Sequence, residues 1–376
     1  MGKIKKGFLA IGYILKLIAA YIIGHNKYQD IWLISERGFD ARDNGFVFYK
    51  YLRTKHPEIN SYYIIDGNSP DYKKVKEYGN IVEYKSWQHY LLLANATYKI
   101  STHDQGYTPN MIIFHWLHKL AMKLPIQIKG KVVFLQHGIF KDNIPWYYRS
   151  ECTPDIFTVS TEEEYQFVEK YFDQHDPELQ LLGLCRYDNL IQKEPPKKQI
   201  LLMPTWRKGV HSKEEFVKTT YYKKYNDLLK NETLQTFLKT NEYTLIFYPH
   251  IEFQPYLNTF NKCENVILAN MEDYDVQKLL IESEILITDY SSVFFDFAYL
   301  NKPIYFYQFD QEYFFKNHYS RGYIDFSKIG IVTDNEQELI NNVITCKRPN
   351  SSYVNTLFKY RDTNNCERTY KRIREL

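Results

Sequence analysis

From about residue 30 onward the chain repeats one pattern: a short run of β-branched and aromatic residues, then a longer stretch at helical spacing. "DIWLIS" (30–35), "SYYIID" (61–66), "YKISTH" (98–103), "KVVFLQHG" (131–138) and "DIFTVS" (155–160) form a first series. "NGFVFYKYLRTKHP" (44–57) and the stretch from Glu162 to Phe172 read as helices within it. "QILLMPTW" (199–206), "YTLIFYPH" (243–250), "NVILAN" (265–270), "EILITD" (284–289) and "PIYFYQ" (303–308) form a second series. Strands that alternate with helices pair in parallel, with helices covering both faces of the sheet. At 376 residues the chain exceeds one ordinary core. The prolines and charges of "QKEPPKK" (192–198) mark a hinge between the series. The expected fold class is therefore α/β, two Rossmann-like doubly wound domains facing a cleft, at 27–192 and 198–350. The closing stretch, 351–376, reads as a C-terminal helix able to fold back on the first domain.

Composition narrows the function classes. The net charge of +3 is mild and no basic face is concentrated in the sequence, so nucleic acid is not an expected partner. Cysteines 152, 185, 263, 346 and 366 show neither a CxxC pair nor metal-ligand spacing, which fits a reducing compartment. Residues 1–26 differ from the rest. Lys3, Lys5 and Lys6 precede the apolar run "FLAIGYILKLIAAYII" (8–23), which is short of the roughly 20 residues that span a bilayer. One reading lays this helix in the membrane interface, with Phe8, Ile11, Leu15 and Ile18 on one stripe; the other packs it on the protein's own core.

Ligands in doubly wound sheets bind beyond the carboxyl ends of the strands, and polar groups stand at several such ends. "FLQHGIFKDN" (134–143) places His137 at a strand end, where an imidazole can act as general base. Gly138 follows directly and permits close backbone approach. "LLMPTWRKG" (201–209) delivers Thr205 and Arg207 into a loop, and a guanidinium fork suits phosphate oxygens. In "LIFYPHIE" (245–252), Pro249 ends a strand and leaves His250 just outside it, able to donate to a diphosphate. In "ILITDYSSVFFDFAYLNKPIYFY" (285–307), a strand turns into a helix near Ser291 and Ser292, whose hydroxyls join free backbone N–H groups at the helix start. Asp296 lies one turn deeper, where a carboxylate can accept bonds from ribose hydroxyls. Asp289 is out of place beside a phosphate unless it turns into the loop as a brace. For each residue alone the ordinary reading competes: a core histidine, a surface arginine, a capped helix. No carboxylate pair stands out as a metal site, and the Gly-rich phosphate fingerprints are absent, which argues against a P-loop enzyme and a dehydrogenase.

These stretches, with "LGLCRYDNL" (182–190) and "WLISERGFDARDNGFVFYKYL" (32–52), occur in one order along nearly the whole chain. Together they resemble the CDP-glycerol glycerophosphotransferase family of teichoic acid synthesis. The resemblance implies a GT-B fold and transfer of glycerol phosphate from CDP-glycerol to a hydroxyl of a polyprenyl-diphosphate-linked glycan. CMP would be released at the cytoplasmic face of the membrane, the enzyme being peripheral. It also places the family's histidines on His137 and His250, and its DYSS serines on Ser291 and Ser292. No cofactor is implied, although Mg²⁺ could bridge the diphosphate. Alternatives stay open at this point: CDP-ribitol or another activated polyol or sugar as donor, transfer in capsule synthesis, or a catalytically silent module that binds without turnover.

Overall fold

In the computed structural model, residues 3–123, 129–191, 195–318, 322–349 and 352–376 are described. The chain divides into two compact units. The first gathers residues 1–139, 144–189 and 359–376; the second gathers 140–143 and 190–358.

The first unit is built on a parallel sheet of β1 (Ile31–Ser35), β2 (Asn60–Ile65), β3 (Ile81–Glu83), β4 (Tyr98–Ser101), β5 (Lys131–Phe134), β6 (Ile156–Val159) and β7 (Leu179–Leu181). Their order is β3-β2-β1-β4-β5-β6-β7, so the winding reverses between β1 and β4. β1 and β6 are buried at every position, as expected where helices cover both faces. Helices α1 (Lys3–Gly24), α2 (Asn44–Lys55), α3 (Trp87–Asn95), α4 (Met111–Ala121) and α5 (Glu162–Phe172) belong to this unit. Capping sets their starts: Thr161 accepts the Glu164 N–H at 3.0 Å, and the Glu164 carboxylate takes the Ser160 N–H at 2.7 Å.

The N-terminal helix is packed on one side and open on the other. Tyr13 meets Tyr90 and Phe114, and Asn95 donates to the Ala20 carbonyl at 3.2 Å. Phe8, Ile11, Leu15, Ile18 and Ile22 remain exposed. The helix is also longer than its apolar run suggests: Lys6–Gly24 is long and apolar enough to cross a membrane by length and composition.

The second unit repeats the plan with β8 (Lys197–Leu202), β9 (Thr244–Phe247), β10 (Val266–Leu268), β11 (Ser283–Thr288), β12 (Ile304–Tyr307) and β13 (Ile331–Thr333). The order is β10-β9-β8-β11-β12-β13, and the winding reverses between β8 and β11. Its core is aromatic: Phe216, Tyr221, Tyr225, Phe247, Tyr305 and Tyr307 lie in one buried cluster, with Tyr221 and Tyr225 on α6 (Thr220–Lys230). The helix after β11 is α7 (Val293–Tyr299).

The C-terminal stretch differs from the single helix expected. A short helical turn, Tyr353–Leu357, is followed by irregular chain and then α8 (Asn365–Arg374), which counts with the first unit. The expected hinge at 192–198 lies partly outside the described residues, and β8 begins inside it at Lys197.

Candidate active site

In the first unit the polar groups gather where β1, β4 and β5 end, beside the reversal of winding. The chain leaves β5 through Gln136, whose backbone is left-handed (φ 65°). Two buried contacts hold this non-glycine residue there: its amide donates to Glu164 at 2.5 Å, and its carbonyl accepts from the Asn44 amide at 2.7 Å. The turn presents His137, whose side chain is 66% exposed. Its Nδ1–H donates to the Asp43 carboxylate at the start of α2. That bond assigns the tautomer and leaves Nε2 as the free basic nitrogen. Asp43 in turn accepts the Arg186 guanidinium at 2.8 Å and the Asn44 N–H at 2.8 Å.

Electrostatics follow from these partners. Crowding by the surrounding chain disfavours the His137 imidazolium, but the Asp43 carboxylate outweighs it, and the His137 pKa moves above 6.5. Burial works to raise the Asp43 carboxyl, but His137 and Arg186 outweigh it and hold the group below 3.8. His103, at the end of β4, has its ring centroid 4.9 Å from that of His137. Burial, then the neighbouring His137, pushes its pKa down to about 3, so it stays neutral. Behind the site Glu36 accepts the N–H groups of Arg42, Asp43 and Phe46 at 2.8–3.0 Å. Burial and the nearby Asp43 and Asp40 push its carboxyl up to about 8.

In the second unit the corresponding reversal, between β8 and β11, is filled by an ion cluster. Arg207 is 3% exposed and spends all five of its N–H donors inside the protein. Its Nε and one Nη2 hydrogen go to Asp310 at 2.7 and 3.0 Å, the other Nη2 hydrogen to Asp289 at 2.8 Å, and Nη1 to the carbonyls of Thr205 and Trp206 at 2.6 and 3.2 Å. The expectation of a phosphate clamp at Arg207 is therefore corrected: two carboxylates and two carbonyls leave it no donor for a ligand. Asp289 is the brace. It accepts Arg207, the Thr205 N–H at 2.8 Å and the Tyr290 N–H at 2.5 Å, so it ties the two loops together.

The remaining residues stand around this cluster. His250 accepts the Glu252 N–H on Nδ1 at 3.3 Å, which assigns the ring proton to Nε2. Its ring stacks over Trp206 with centroids 6.0 Å apart. Thr205 is buried, with no hydrogen-bond partner for its hydroxyl. Ser291 is half-buried and Ser292 exposed; Ser292 occupies the cap position of α7 without accepting a helix N–H. That helix has only 7 residues, and the N–H groups expected to be free at its start are spent locally. The Val293 N–H reaches the Ser291 hydroxyl at 3.5 Å, and the Phe294 and Phe295 N–H groups reach the carbonyls of Ser291 and Ser292 at 3.3 and 3.0 Å, which leaves chiefly the hydroxyls to meet an anion there. Asp296 sits on α7 and is 4% exposed. Gly138 follows His137 and is half-buried. Lys141 and Asp142, singled out in the same stretch, form a buried ion pair with each other in the second unit. Among the described residues, no group of three or more His, Cys, Asp or Glu is arranged to hold a metal ion.

The sequence reading missed Glu36, Asp43, Asn44, His103, Arg186 and Asp310. Four of them lie in "WLISERGFDARDNGFVFYKYL" and "LGLCRYDNL", quoted above without assigned roles; an Asp and an Asn ahead of a predicted helix were the one local signal.

Residues 18–375 match the model of the family described as CDP-Glycerol:Poly(glycerophosphate) glycerophosphotransferase. The chain belongs to that family. This glycerophosphotransferase-family chain is 33% identical over 370 residues to the Minor teichoic acid biosynthesis protein GgaB of Bacillus subtilis (strain 168), covering 93% of the chain and 40% of that protein. It is 27% identical over 329 residues to the Teichoic acid poly(glycerol phosphate) polymerase of the same strain, covering 80% of the chain and 41% of that protein. It thus spans about 40% of the length of these two relatives. Among solved structures, the Wall Teichoic Acid Polymerase TagF, in a histidine variant soaked with CDPG, superposes with a TM-score of 0.70 at 16% identity, covering 99% of this chain and 97% of that one. The fold of the family member is accordingly GT-B-like, two parallel Rossmann-like sheets flanked by helices.

Proposed function

We propose that the chain transfers glycerol phosphate from CDP-glycerol to a hydroxyl of a polyprenyl-diphosphate-linked glycan, releasing CMP, in teichoic acid or related cell-surface polymer synthesis. One observation carries the reading: His137 gives its Nδ1–H to Asp43 and keeps Nε2 basic on an exposed ring edge. Such an imidazole is built to take a proton. In the scheme, the acceptor oxygen attacks the donor's β-phosphorus in line as its proton passes to His137 Nε2. The new P–O bond forms while the bond to the CMP oxygen breaks. His250 stabilises charge on the diphosphate and leaving CMP, joined by the Ser291 and Ser292 hydroxyls, while the buried Thr205 holds its loop. Asp296 would meet the ribose, and Gly138 admits the acceptor close to the base. Arg207 acts from behind by holding Asp289 and the Thr205 loop. Mg²⁺ would supply charge neutralisation at the donor's phosphates, but no group of the described His, Cys, Asp or Glu residues is arranged to hold it; the scheme does not depend on it, and an EDTA titration reads any contribution.

The proposed place of work is the inner face of the cytoplasmic membrane. The exposed stripe of α1 and the exposed Ile112, Trp116 and Leu120 of α4 belong to helices that pack together through Tyr13 and Phe114. Apolar faces with flanking lysines suit an anionic interface. Pelleting with anionic vesicles should fall when Leu15 and Ile18 are both changed to Glu.

The test of the reaction is CMP release from CDP-glycerol or CDP-ribitol, offered with a soluble analogue of the lipid-linked acceptor, by the wild type and by His137→Ala. Acceptor-dependent release from CDP-glycerol that the variant loses supports the proposal. Release from CDP-ribitol alone changes the donor, and release from neither despite donor binding points to a module that only binds.

A further inference from the structure

Asp43 and Asn44 are consecutive residues, and each bridges the same two loops. The Asp43 carboxylate takes the His137 ring N–H on one oxygen and the Arg186 guanidinium, at 2.8 Å, on the other. The Asn44 amide, fully buried, accepts the Arg186 main-chain N–H at 2.8 Å and donates to the Gln136 carbonyl at 2.7 Å. Arg186 closes the circuit by donating to the carbonyl of His137 itself at 2.7 Å. One guanidinium therefore touches both the partner of the imidazole and the backbone that carries it.

We propose that Arg186 is the positioning residue of the His137 base, fixing the ring and its carboxylate in one orientation toward the acceptor hydroxyl. The inference rests on the proposed function, in which His137 is the base. A ring held by a single hydrogen bond can pivot about it; a planar fork that engages both the carboxylate and the main-chain carbonyl removes that freedom. The Arg186 side chain is only 12% exposed, so solvent does not compete strongly for its donors. Its own loop is anchored from the far end of the sequence. Asp188, two residues on, accepts the N–H groups of Asn365 and Cys366 at 2.8 Å and the Asn365 amide at 2.7 Å, all at the start of α8. The last helix of the chain thus steadies the loop that steadies the base.

Arg186 also bears on the pH at which the base is free. The charged and titratable groups facing His137 are Asp43 from α2, Arg186 from its loop, Arg37 from the loop after β1 and His103 from the end of β4, with Glu36 behind. Asp43 favours the imidazolium, whereas Arg186 and Arg37 disfavour it. Removing Arg186 would leave Asp43 acting on His137 with less opposition, so the base would stay protonated to higher pH.

The experiment measures kcat and each KM against pH for wild type, Arg186→Gln, Arg186→Lys and His137→Ala, with melting curves for all. Arg186→Gln should lower kcat about 10- to 100-fold, as expected for a misplaced reacting group. The donor KM should stay within about threefold, separating lost positioning from lost binding. The acid limb of the profile should move to higher pH. Arg186→Lys, which restores charge without the planar fork, should return the limb toward wild type and leave kcat reduced. A residue that merely held the fold would not move the limb. Arg186→Gln with wild-type kcat and limb, beside an inactive His137→Ala, overturns the proposal and leaves the base intact. Should Arg186→Gln melt early, Arg186→Lys decides: wild-type kcat in that variant overturns the positioning role. An active His137→Ala overturns the base assignment and this inference with it.

Discussion

Each unit places a histidine just past a strand, His137 after β5 and His250 after β9, yet the protons sit on opposite nitrogens. His137 donates from Nδ1 to a carboxylate and presents a bare Nε2. His250 accepts a backbone N–H on Nδ1, so its proton sits on Nε2. Neither chemistry is intrinsic to histidine; each is imposed by what meets Nδ1. Arginine shows the same contrast. Arg186 holds Asp43, which holds the His137 ring, whereas Arg207 is sealed between Asp289 and Asp310 and keeps two loops in register.

Kinetics of the two histidines give the largest expected effect. His137→Ala should lower turnover about 10²- to 10⁴-fold and remove the acid limb of the pH profile, since the variant has no base to titrate. His250→Ala should cost about 10²- to 10³-fold, the scale of one lost transition-state donor, and leave the acid limb in place. If the limb disappears with His250 and survives without His137, the assignment of base and donor is reversed.

Stability separates the arginines. Arg207→Met strands the buried Asp289 and the half-buried Asp310, and breaking a buried pair costs about 3–5 kcal/mol, read as an earlier denaturant midpoint. Arg186→Gln should cost less, because its partner Asp43 keeps His137 and the Asn44 N–H. Equal losses would mean that Arg186, too, is chiefly a structural brace.

This contrast marks the limit of what sequence could tell. Long buried runs such as "IWLIS" and "IYFY" were legible because all but the closing Ser35 are apolar or aromatic and the strand is covered on both faces. Of the four three-residue edge strands, β10 was legible in "NVILAN", whereas β3, β7 and β13, each too short for a period and only partly buried, were not. Among site residues, His137 and His250 stood out because each follows a strand directly. Asp43 carried no such signal: the contact that gives it meaning spans 94 residues. Arg207 was misjudged for the same reason, its acids lying 82 and 103 residues away. Residue type announces what a side chain can do, and only the fold decides whether its donors are already spent.

A pH titration of stability sharpens the difference between units at a smaller scale. Burial and its acidic neighbours push the Glu36 carboxyl up to about 8, against 4.5 in the unfolded chain. Between those values the folded protein keeps a proton that the unfolded chain releases, so this group's contribution is present below 4.5 and is lost as pH rises through about 8. Glu36→Gln should flatten the fall in stability across that window. Its absolute stability should drop by about 1–3 kcal/mol, because an amide nitrogen cannot accept the N–H groups that the carboxyl oxygens accept. An unchanged slope would mean that Glu36 is ionised throughout, held so by its three N–H donors.

The smallest effect tests whether the second unit's hydroxyls serve a ligand or the fold. Ser292 caps no N–H of its helix and is exposed, so Ser292→Ala removes nothing that folding uses, and its melting curve should match wild type. If the hydroxyl meets the donor's diphosphate, one lost hydrogen bond of about 0.5–1.5 kcal/mol weakens donor binding roughly 2- to 12-fold. The acceptor KM should stay put, because the acceptor is assigned to His137 in the other unit. A change in acceptor KM without one in donor KM would break the division of labour between the two units, while a change in neither would confine Ser292 to the surface and leave the anion to Ser291 and the backbone.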